Sequence, residues 1–483
     1  MADFVFFLKN VLVLSLAMNI GLIWKIRHDD EETLAYKWSS WGNIQQKLHF
    51  RGFCFNGEKN NRKEKEAHGS TILATTSSSA ATSVADGGES PVNVIINLDH
   101  GDPTMYENFW KQKGEETTVV TSSWQHISYF SDIKNVCWFL EPGLMSAIKR
   151  LHKVVGNAVT EGRHIVVGTG SSQLYQAALY ALSPHNASGP MNVVSAAPFY
   201  SSYPLMTDYL KSGLHKWAGD ANVFNKQESY IELVTSPNNP DGFTRQDVVK
   251  GEKGILVHDL AYYWPQYTPI LSPADDNIML FTVSKSTGHA GSRIIALLSL
   301  VIIDLLGSNI KQPLIGIKEL GVWALVKDRE IAKKMTTFIE INTIGVSKDS
   351  QIRAAKILQA ISDSCDHANQ TDAETFFDYS YKLMAQRWKE IREAVNKTEL
   401  FSLPNFPLET CSFSGRTFGQ LPAFAWLKCE GEVDDCESFL RRHKILTRGG
   451  KHFGASMKYV RISMLSRDNE FKLLTQRLPA ITF

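Results

Sequence analysis

The chain has 483 residues, a formal net charge of +1 and 43% hydrophobic residues. This length and composition allow a large core and about two or three domains. The charge near zero gives no indication of nucleic acid or another polyanion as a partner. Cysteines occur without CxxC pairs or histidine partners, so neither a zinc site nor a disulfide framework is predicted and reduced thiols are expected. They are Cys54, Cys137, Cys365, Cys411, Cys429 and Cys436.

The N-terminus differs from the rest of the chain. Phe4 to Trp24 is mostly apolar and approaches the roughly 20 residues that span a bilayer. We therefore predict an uncleaved membrane anchor over residues 1–27, with a short amphipathic or apolar tail as the alternative. More basic residues follow the span than precede it, which indicates that the remainder of the chain is cytosolic.

Residues 28–91 are predicted to be a linker. Within it, a charged run from Glu58 to Glu66 passes into a stretch rich in Ser, Thr and Ala from Ser70 to Ser83. Such a composition buries too little apolar surface to offset the entropy of ordering the chain.

From Val92 on, short apolar runs alternate with helical patterns, and residues 92–375 are predicted to form a large domain. The runs are continuously apolar, as expected for strands covered on both faces of a mostly parallel α/β sheet. The predicted strands are Val92–Leu98, Arg163–Gly168, Met191–Ala196, Tyr230–Thr235, Gly254–His258 and Ile278–Val283, and the helices between them are Ser172–Leu182 and Ser201–Lys211. Ligands of such sheets bind beyond the carboxyl ends of the strands.

Residues 376–483 are predicted to form a second, smaller α+β domain. This region combines an amphipathic helix at Tyr381–Val395 with strand-like segments at Ala423–Leu427 and Val460–Met464.

One lysine is delivered by an apolar run into a loop of small residues. Lys285 follows Ser284 in this loop, and Arg293 comes eight positions later. This arrangement suits a lysine that forms a Schiff base with pyridoxal 5'-phosphate (PLP), with Arg293 on the phosphate. A solvated surface lysine is the alternative.

Two further loops follow predicted strands. Gly168 to Gln173 joins a strand to a helix, where Ser171 and Ser172 can bind an anion together with free N–H groups, unless they only cap the helix. Asn239 lies in a turn between two prolines and can present its amide to a ligand oxygen, although simple turn chemistry also explains it.

Three charged or polar residues complete the pattern. Asp259 ends a buried strand, where a protonated pyridine nitrogen is a suitable partner and a helix N-cap is the alternative. Tyr262 can share the ring-oxygen side with Asn239. Arg461 lies within an apolar strand, where it needs a substrate carboxylate or a structural salt bridge. No metal site is predicted.

Beyond these residues, the sequence resembles fold-type I PLP enzymes of the alliinase and tryptophan aminotransferase group of plants. The resemblance covers most of residues 96–466. Within the group, the sequence is most similar to the membrane-anchored tryptophan aminotransferase-related branch. Its motifs begin at Leu98 (LDHGDPT), Ser128 (SYFSD), Trp138 (WFLEP), Val154 (VVGNA), Thr235 (TSPNNPDG), His258 (HDLAYYWP) and Val460 (VRISML).

The resemblance implies a reaction and a set of roles. The reaction is transfer of the amino group of L-tryptophan to pyruvate, giving indole-3-pyruvate and alanine, in auxin biosynthesis. Lys285 is the implied Schiff-base lysine, and Arg461 binds the substrate carboxylate. Asp259 pairs with the pyridine nitrogen, Asn239 and Tyr262 with the ring oxygen, and Ser171, Ser172, Ser284 and Arg293 with the phosphate. Tyr129 matches a family tyrosine that contributes to the cofactor site and in this fold type often comes from the neighbouring subunit, so a homodimer is implied. The resemblance to the membrane-anchored branch implies location at the endoplasmic reticulum membrane.

Two departures from the family pattern bear on activity. The Cys-rich module of alliinases is missing, which favours an aminotransferase over a lyase of S-alkyl-cysteine sulfoxides. An extra, mostly apolar segment at about residues 295–320 follows Ile294 and separates Arg293 from Gly321. Because insertions of this length are unusual inside compact domains, we expect a poorly folded or inactive protein as a further alternative.

Overall fold

The computed structural model describes residues 94–184, 189–225, 227–291, 322–368 and 374–482. The predicted anchor and linker, Arg293 and the predicted insertion all lie outside these ranges. In the part of the chain that is described, no helix is both long enough and apolar enough to cross a membrane.

A seven-stranded sheet forms the centre of the larger part of the fold. Its strands are β2 (His164–Gly168), β3 (Met191–Ser195), β4 (His215–Asp220), β5 (Tyr230–Thr235), β6 (Gly254–Asp259), β7 (Ile278–Thr282) and β8 (Val322–Val326). Their spatial order is β2-β8-β7-β6-β5-β3-β4. Among these strands, β8 pairs antiparallel with β2 and β7, and the other pairings are all parallel. The expected mostly parallel sheet is therefore confirmed.

Helices cover both faces of this sheet. The helices in this part of the chain are α1 (Glu107–Gln112), α2 (Pro142–Val155), α3 (Ser171–Leu182), α4 (Tyr203–Asp208), α5 (Val283–Ser286), α6 (Arg329–Thr343) and α7 (Lys348–Ala368). On β2, a Cβ at Gly168 would meet Leu174 of α3, whereas the adjacent Val167 lines a small cavity together with Leu144 of α2 and Ala354 of α7. Since successive strand residues point to opposite faces, α3 and the α2–α7 pair lie on opposite sides.

A second, four-stranded sheet lies in the C-terminal region. Its order is β14-β15-β12-β9, and every pairing in it is antiparallel. The strands of this region are β9 (Phe401–Ser402), β10 (Glu409–Thr410), β11 (Thr417–Phe418), β12 (Phe424–Cys429), β13 (Ile445–Leu446), β14 (Arg448–Gly449) and β15 (Tyr459–Ser463), and its helices are α8 (Phe376–Val395), α9 (Cys436–Arg442) and α10 (Asp468–Arg477). This is the α+β composition that the sequence predicts, while the domain boundary at residue 376 stays a prediction.

The N-terminal end of the described chain packs onto the C-terminal region. The short strand β1 (Ile96–Asn97) pairs in parallel with β13. The loop that follows β1 is also held there, because the backbone N–H of Ser463 donates to the carbonyl of Leu98 at 2.9 Å. Residues 98–102 are thereby brought beside β15.

Three expectations about local structure are wrong. The strand predicted at Val92–Leu98 spans only Ile96–Asn97 among the described residues, and it pairs with β13 instead of joining the central sheet. The helix predicted at Ser201–Lys211 spans only Tyr203–Asp208, since Pro204 lies in its first turn and Lys211 adopts a positive φ of 48°. The cysteines are not all reduced thiols, because Cys429 and Cys436 form a disulfide. The turn between β12 and α9 brings their Cα atoms to 5.6 Å, a separation that a disulfide requires and that sequence spacing does not reveal.

Candidate active site

The candidate site lies at the carboxyl ends of the parallel strands. Thr235 at the end of β5 pairs with Asp259 at the end of β6, and Asp259 pairs with Leu280 near the end of β7. Lys285 follows β7 directly and Asn239 follows β5 by four residues. The register therefore collects residues that are far apart in sequence at one edge of the sheet.

Lys285 is buried rather than solvated. Lys285 lies in the short helix α5, and the residue is only 8% exposed. Nζ donates to the carbonyl of Gly101 at 2.6 Å. The carbonyl of Lys285 accepts a hydrogen bond from the hydroxyl of Tyr267 at 3.1 Å. The alternative of a surface lysine therefore does not apply.

Gly101 has a steric reason for lacking a side chain. A Cβ at this position would lie 2.9 Å from the Phe424 ring and 3.3 Å from Nζ of Lys285. The first of these distances is shorter than a van der Waals contact, so a larger residue would displace the ring or the lysine. Glycine thus permits the close approach of the 98–102 loop to the lysine.

Asp259 is a partly buried carboxylate that is bound only by neutral donors. Its Oδ2 accepts a hydrogen bond from the hydroxyl of Tyr203 at 2.7 Å, and its Oδ1 accepts from the backbone N–H of Ala261 at 3.2 Å. Burial raises the pKa of this carboxyl, whereas the Tyr203 hydrogen bond opposes the rise. Across the described ranges, Asp259 forms no ion pair with Lys, Arg or His. A protonated ring nitrogen would supply the missing cation, so the residue fits the pyridine of PLP.

Arg461 is a buried cation with neutral partners. Nη1 donates to Oδ1 of Asn239 at 3.1 Å, and Nη2 donates to the carbonyl of Asp99 at 2.6 Å. The guanidinium carbon lies 4.1 Å from the centre of the Phe424 ring and 5.3 Å from that of Phe453. These cation–π contacts hold the group without neutralising its charge.

The electrostatics of Arg461 favour a carboxylate ligand. Burial lowers the pKa of this arginine to about 10. Its Nε has no hydrogen-bond partner in the described part of the chain, and no carboxylate there pairs with it. A buried, unneutralised guanidinium with a donor to spare is suited to bind a carboxylate, so the structural salt bridge does not apply.

The predicted phosphate residues lie on separate elements, two of them at the start of α3 and one in α5. Ser171 and Ser172 form the first turn of α3, after an extended Gly170. Ser284 is fully buried in α5, and its backbone N–H donates to the hydroxyl of Thr282 at 3.1 Å. The helix start supplies N–H groups that an anion can accept from, while Arg293 lies outside the described residues.

Tyr262 and Tyr129 occupy different environments. Tyr262 is buried and its ring packs edge-on against Tyr267 and Phe424, at centroid distances of 5.7 and 5.9 Å. Tyr129 is 67% exposed. No hydrogen bond or ring contact within the described residues joins Tyr129 to the buried group around Lys285. The structure of one chain therefore brings Tyr262 to the site and does not bring Tyr129.

Three residues that contact the predicted site residues carry no signal of their own in the sequence. Tyr203 bonds Asp259, Tyr267 bonds the carbonyl of Lys285, and Phe424 lies between Arg461 and Gly101. Each lies at least 18 positions from its partner, so no local spacing joins them. Only Asp99 and Gly101 carry a sequence signal, because they belong to the LDHGDPT motif.

Comparison with known proteins places this site in a family. A family profile described as "Allinase" matches residues 96–299 and 317–482. The unmatched residues 300–316 lie within the predicted insertion. Tryptophan aminotransferase-related protein 2 of Arabidopsis thaliana is 52% identical over 97% of this chain and 96% of its own length. Alliin lyase 1 of Allium sativum is 36% identical over 77% of this chain and 72% of its own length.

Solved structures share the fold at low sequence identity. An aspartate aminotransferase from Thermus thermophilus in complex with maleate has a TM-score of 0.52 at 13% identity, covering 80% of this chain and 92% of its own. An Escherichia coli protein with a methionine aminotransferase function has a TM-score of 0.51 at 13% identity, covering 80% of this chain and 94% of its own. The fold is therefore that of fold-type I aminotransferases, and the chain belongs to the alliinase family of fold-type I PLP enzymes.

Proposed function

We propose that this protein is an L-tryptophan:pyruvate aminotransferase that uses PLP and forms indole-3-pyruvate and L-alanine in auxin (indole-3-acetic acid) biosynthesis. The single observation that carries the proposal is the placement of buried Lys285 beside the loop that also holds Arg461. The carbonyls of Gly101 and Asp99 accept from Lys285 and Arg461, respectively, at 2.6 Å each. An amine and a carboxylate-binding group are thus held by the same short segment, as an α-amino acid substrate requires.

Each side chain would have a separate task. Lys285 would hold the cofactor through Nζ, and this amine would then move the proton from the substrate Cα. Asp259 would pair with the pyridine nitrogen, and Asn239 and Tyr262 with the ring oxygen. When bound, PLP accepts the electron pair that is released as the Cα–H bond breaks. Ser171, Ser172, Ser284 and Arg293 would hold the phosphate.

Arg461 would fix the substrate through its carboxylate. Two rings, Phe424 and Phe453, flank the guanidinium and exclude water from it. Because tryptophan and pyruvate both carry a carboxylate beside the reacting carbon, one arginine can serve both half-reactions. An interaction with a carboxylate is stronger in such a dry site than in water.

The test is formation of indole-3-pyruvate from L-tryptophan and pyruvate by the purified full chain. We expect turnover by the wild type, one alanine for each indole-3-pyruvate, and loss of at least about three orders of magnitude in Lys285→Ala, because nothing then moves the Cα proton. Lys327→Ala, at an exposed lysine after β8, is the matched control and should keep full activity. Absence of indole-3-pyruvate from wild type that has bound PLP would reject this function.

A second candidate is a PLP lyase acting on S-alkyl-cysteine sulfoxides. It is favoured by relatives that are named alliin lyase and are 34–36% identical to this chain. Such an enzyme would break the C–S bond of the sulfoxide, releasing an alkyl sulfenic acid, and water would then give pyruvate and ammonia without any 2-oxo acid acceptor. A third candidate is a homologue that the insertion has made inactive. Such a protein would convert neither tryptophan nor the sulfoxide.

We also propose that the enzyme is a homodimer. Tyr129 lies in a surface segment with other exposed apolar residues, namely Val120, Trp124, Ile127, Phe130 and Ile133. Burial of such a patch stabilises association. Tyr129 would then reach the cofactor site of the second subunit. Mixing inactive Lys285→Ala with Tyr129→Phe subunits should restore part of the activity if one site uses residues from both chains.

The N-terminal 27 residues are proposed to anchor the enzyme at the endoplasmic reticulum membrane, with the catalytic part in the cytosol. The support is the length of the apolar run from Phe4 to Trp24 and the excess of basic residues after it. Removal of residues 1–27 should shift the protein from the membrane to the supernatant fraction. Retention in the membrane fraction would reject the anchor.

A further inference from the structure

Arg461 has a second arginine directly opposite it in the C-terminal sheet. β14 and β15 are antiparallel, and their register pairs Arg448 with Arg461. Residues opposite each other in an antiparallel pair extend their side chains on the same face, with Cβ atoms about 4.5–5.5 Å apart. The two guanidinium groups therefore share one side of the sheet.

No carboxylate of the described chain forms an ion pair with either arginine, although the charge of the nearby Asp99 opposes the fall that burial causes in the pKa of Arg461. Arg461 donates to the Asn239 amide and to the Asp99 carbonyl, both of which are neutral. Arg448 donates through Nη1 to the hydroxyl of Ser201 at 3.2 Å and forms no ion pair within the described ranges. Glu437, beside β14, pairs instead with Arg441.

Two like charges at opposite positions repel each other, and burial increases the repulsion. After burial itself, Arg448 is the largest contribution that lowers the pKa of Arg461. An anion between the two groups would remove this repulsion.

Arg448 faces the wall of the active site. Its hydroxyl partner Ser201 lies between Tyr200 and Tyr203 in the loop that begins α4. Tyr203 in turn donates to Asp259. The ring of Tyr200 packs edge-on against that of Tyr203 at a centroid distance of 5.3 Å. Arg448 thus contacts the segment that also supports the predicted cofactor partner.

We propose that Arg448 is a second carboxylate-binding residue that acts with Arg461 as a two-arginine clamp. The inference rests on the proposed function, since the ligand would be the α-carboxylate of the amino acid and of the 2-oxo acid. Arg461 supplies the buried end of the clamp, and the partly exposed Arg448 supplies the end towards solvent. Both substrates carry the same group, so the clamp would act in both half-reactions.

The test uses the PLP-loaded full chain and two unreactive ligands. Indole-3-propionate has the carboxylate but no amino group, and indole-3-propionamide is its uncharged counterpart. By calorimetry, we expect Arg448→Met to weaken indole-3-propionate binding about ten-fold, the equivalent of one charge-assisted hydrogen bond. Binding of the amide should change less than about two-fold. Arg448→Lys, which keeps the charge, should recover part of the affinity.

Kinetics provide a second readout. Arg448→Met should raise KM for tryptophan and for pyruvate by about the same ten-fold while kcat falls much less, since the clamp binds the ground state and the transition state alike. Arg329→Met, at an exposed position in α6, is the matched control for loss of one positive charge and should leave both KM values unchanged.

Unchanged indole-3-propionate affinity in Arg448→Met would overturn the proposal. An equal loss of affinity for indole-3-propionate and for indole-3-propionamide would also overturn it, since Arg448 would then only shape the cavity. Wild type that binds indole-3-propionate through Arg448 without forming indole-3-pyruvate would instead reject the proposed reaction and support the clamp.

Discussion

Two unneutralised charges dominate the site at the scale of single residues. Asp259 receives hydrogen bonds only from Tyr203 and Ala261, and Arg461 donates only to neutral oxygens among the described residues. Burying a charge without a partner is costly unless a ligand supplies that partner. Binding of a ligand of opposite charge would therefore stabilise the protein, with a cation at Asp259 and an anion at Arg461.

Removal of the charge on Asp259 should weaken cofactor binding. Asp259→Asn keeps the shape but cannot pair with a protonated ring nitrogen, so we expect about 10- to 100-fold weaker binding of PLP, the usual range for a charge-assisted hydrogen bond. Tyr203→Phe removes only a neutral donor to this carboxylate and should weaken binding about three- to ten-fold. The measurement is a titration of the apoenzyme with PLP, followed by absorbance.

Matched variants at the surface separate this effect from a general loss of stability. Asp363→Asn, in an exposed ion pair with Arg150, and Tyr381→Phe, on α8, should bind PLP as the wild type does. Wild-type affinity in Asp259→Asn would contradict the assigned role.

The residues that are proposed to carry the chemistry belong to motifs with fixed spacing, which is why the sequence could indicate them. Asn239 and Arg461 are hydrogen-bonded, while Lys285 contacts Gly101 and Asp259 ends a neighbouring strand, and their catalytic roles stay predictions. Tyr203 and Phe424 could not be predicted, since their roles arise from contacts across 56 and 37 positions with Asp259 and Arg461. Tyrosine and phenylalanine in apolar surroundings are also ordinary core residues.

At the scale of elements, a buried polar network joins α2 to the central sheet. Nδ1 of His152 bonds Oδ1 of Asn157 at 2.8 Å, and Nε1 of Trp323 on β8 donates to Nε2 of His152 at 2.9 Å. The amide of Asn157 donates to the carbonyl of Tyr263, in the loop after β6. Since Nε2 accepts a hydrogen bond, the imidazole is neutral with its proton on Nδ1.

This network makes stability depend on pH. Burial lowers the pKa of His152 from 6.5 to about 4. The unfolded chain therefore binds more protons between these values, and stability is lost as the pH falls from 6.5 towards 4. From pH 7 to pH 5, this histidine should lower the free energy of unfolding by about 2 kcal/mol.

Denaturant unfolding of wild type and His152→Gln at both pH values isolates the contribution. The variant is expected to be less stable at pH 7 but to lose about 2 kcal/mol less on acidification, because glutamine does not titrate. An identical decrease in both proteins would show that His152 does not control the acid sensitivity.

The elements were more predictable than their arrangement. Continuous apolar runs indicated buried strands, and β2, β3, β5, β6 and β7 appear where the sequence places them. The antiparallel direction of β8 and the Cys429–Cys436 disulfide depend on how the chain turns between elements, which composition does not encode. The short α4 reflects local backbone limits at Pro204 and Lys211 that the apolar pattern hides.

At the scale of the whole molecule, the site joins two sheets. The central sheet supplies Asp259 and Lys285, and the four-stranded sheet supplies Arg461. The loop of residues 98–102 connects them, because it is bonded to both Lys285 and Arg461. Family membership could be predicted from the motifs of this loop and of the strand ends. The effect of the insertion could not be predicted, because residues 300–316 have no counterpart in the family profile.

The proposed function requires PLP to bind covalently at Lys285, and chemical trapping can detect this bond. The full chain, loaded with PLP, is reduced with borohydride, digested and examined by mass spectrometry. We predict one reduced PLP adduct per chain, on the peptide that contains Lys285, and no adduct in Lys285→Ala. An adduct on another lysine, or none in wild type that retains its fold, would contradict the account.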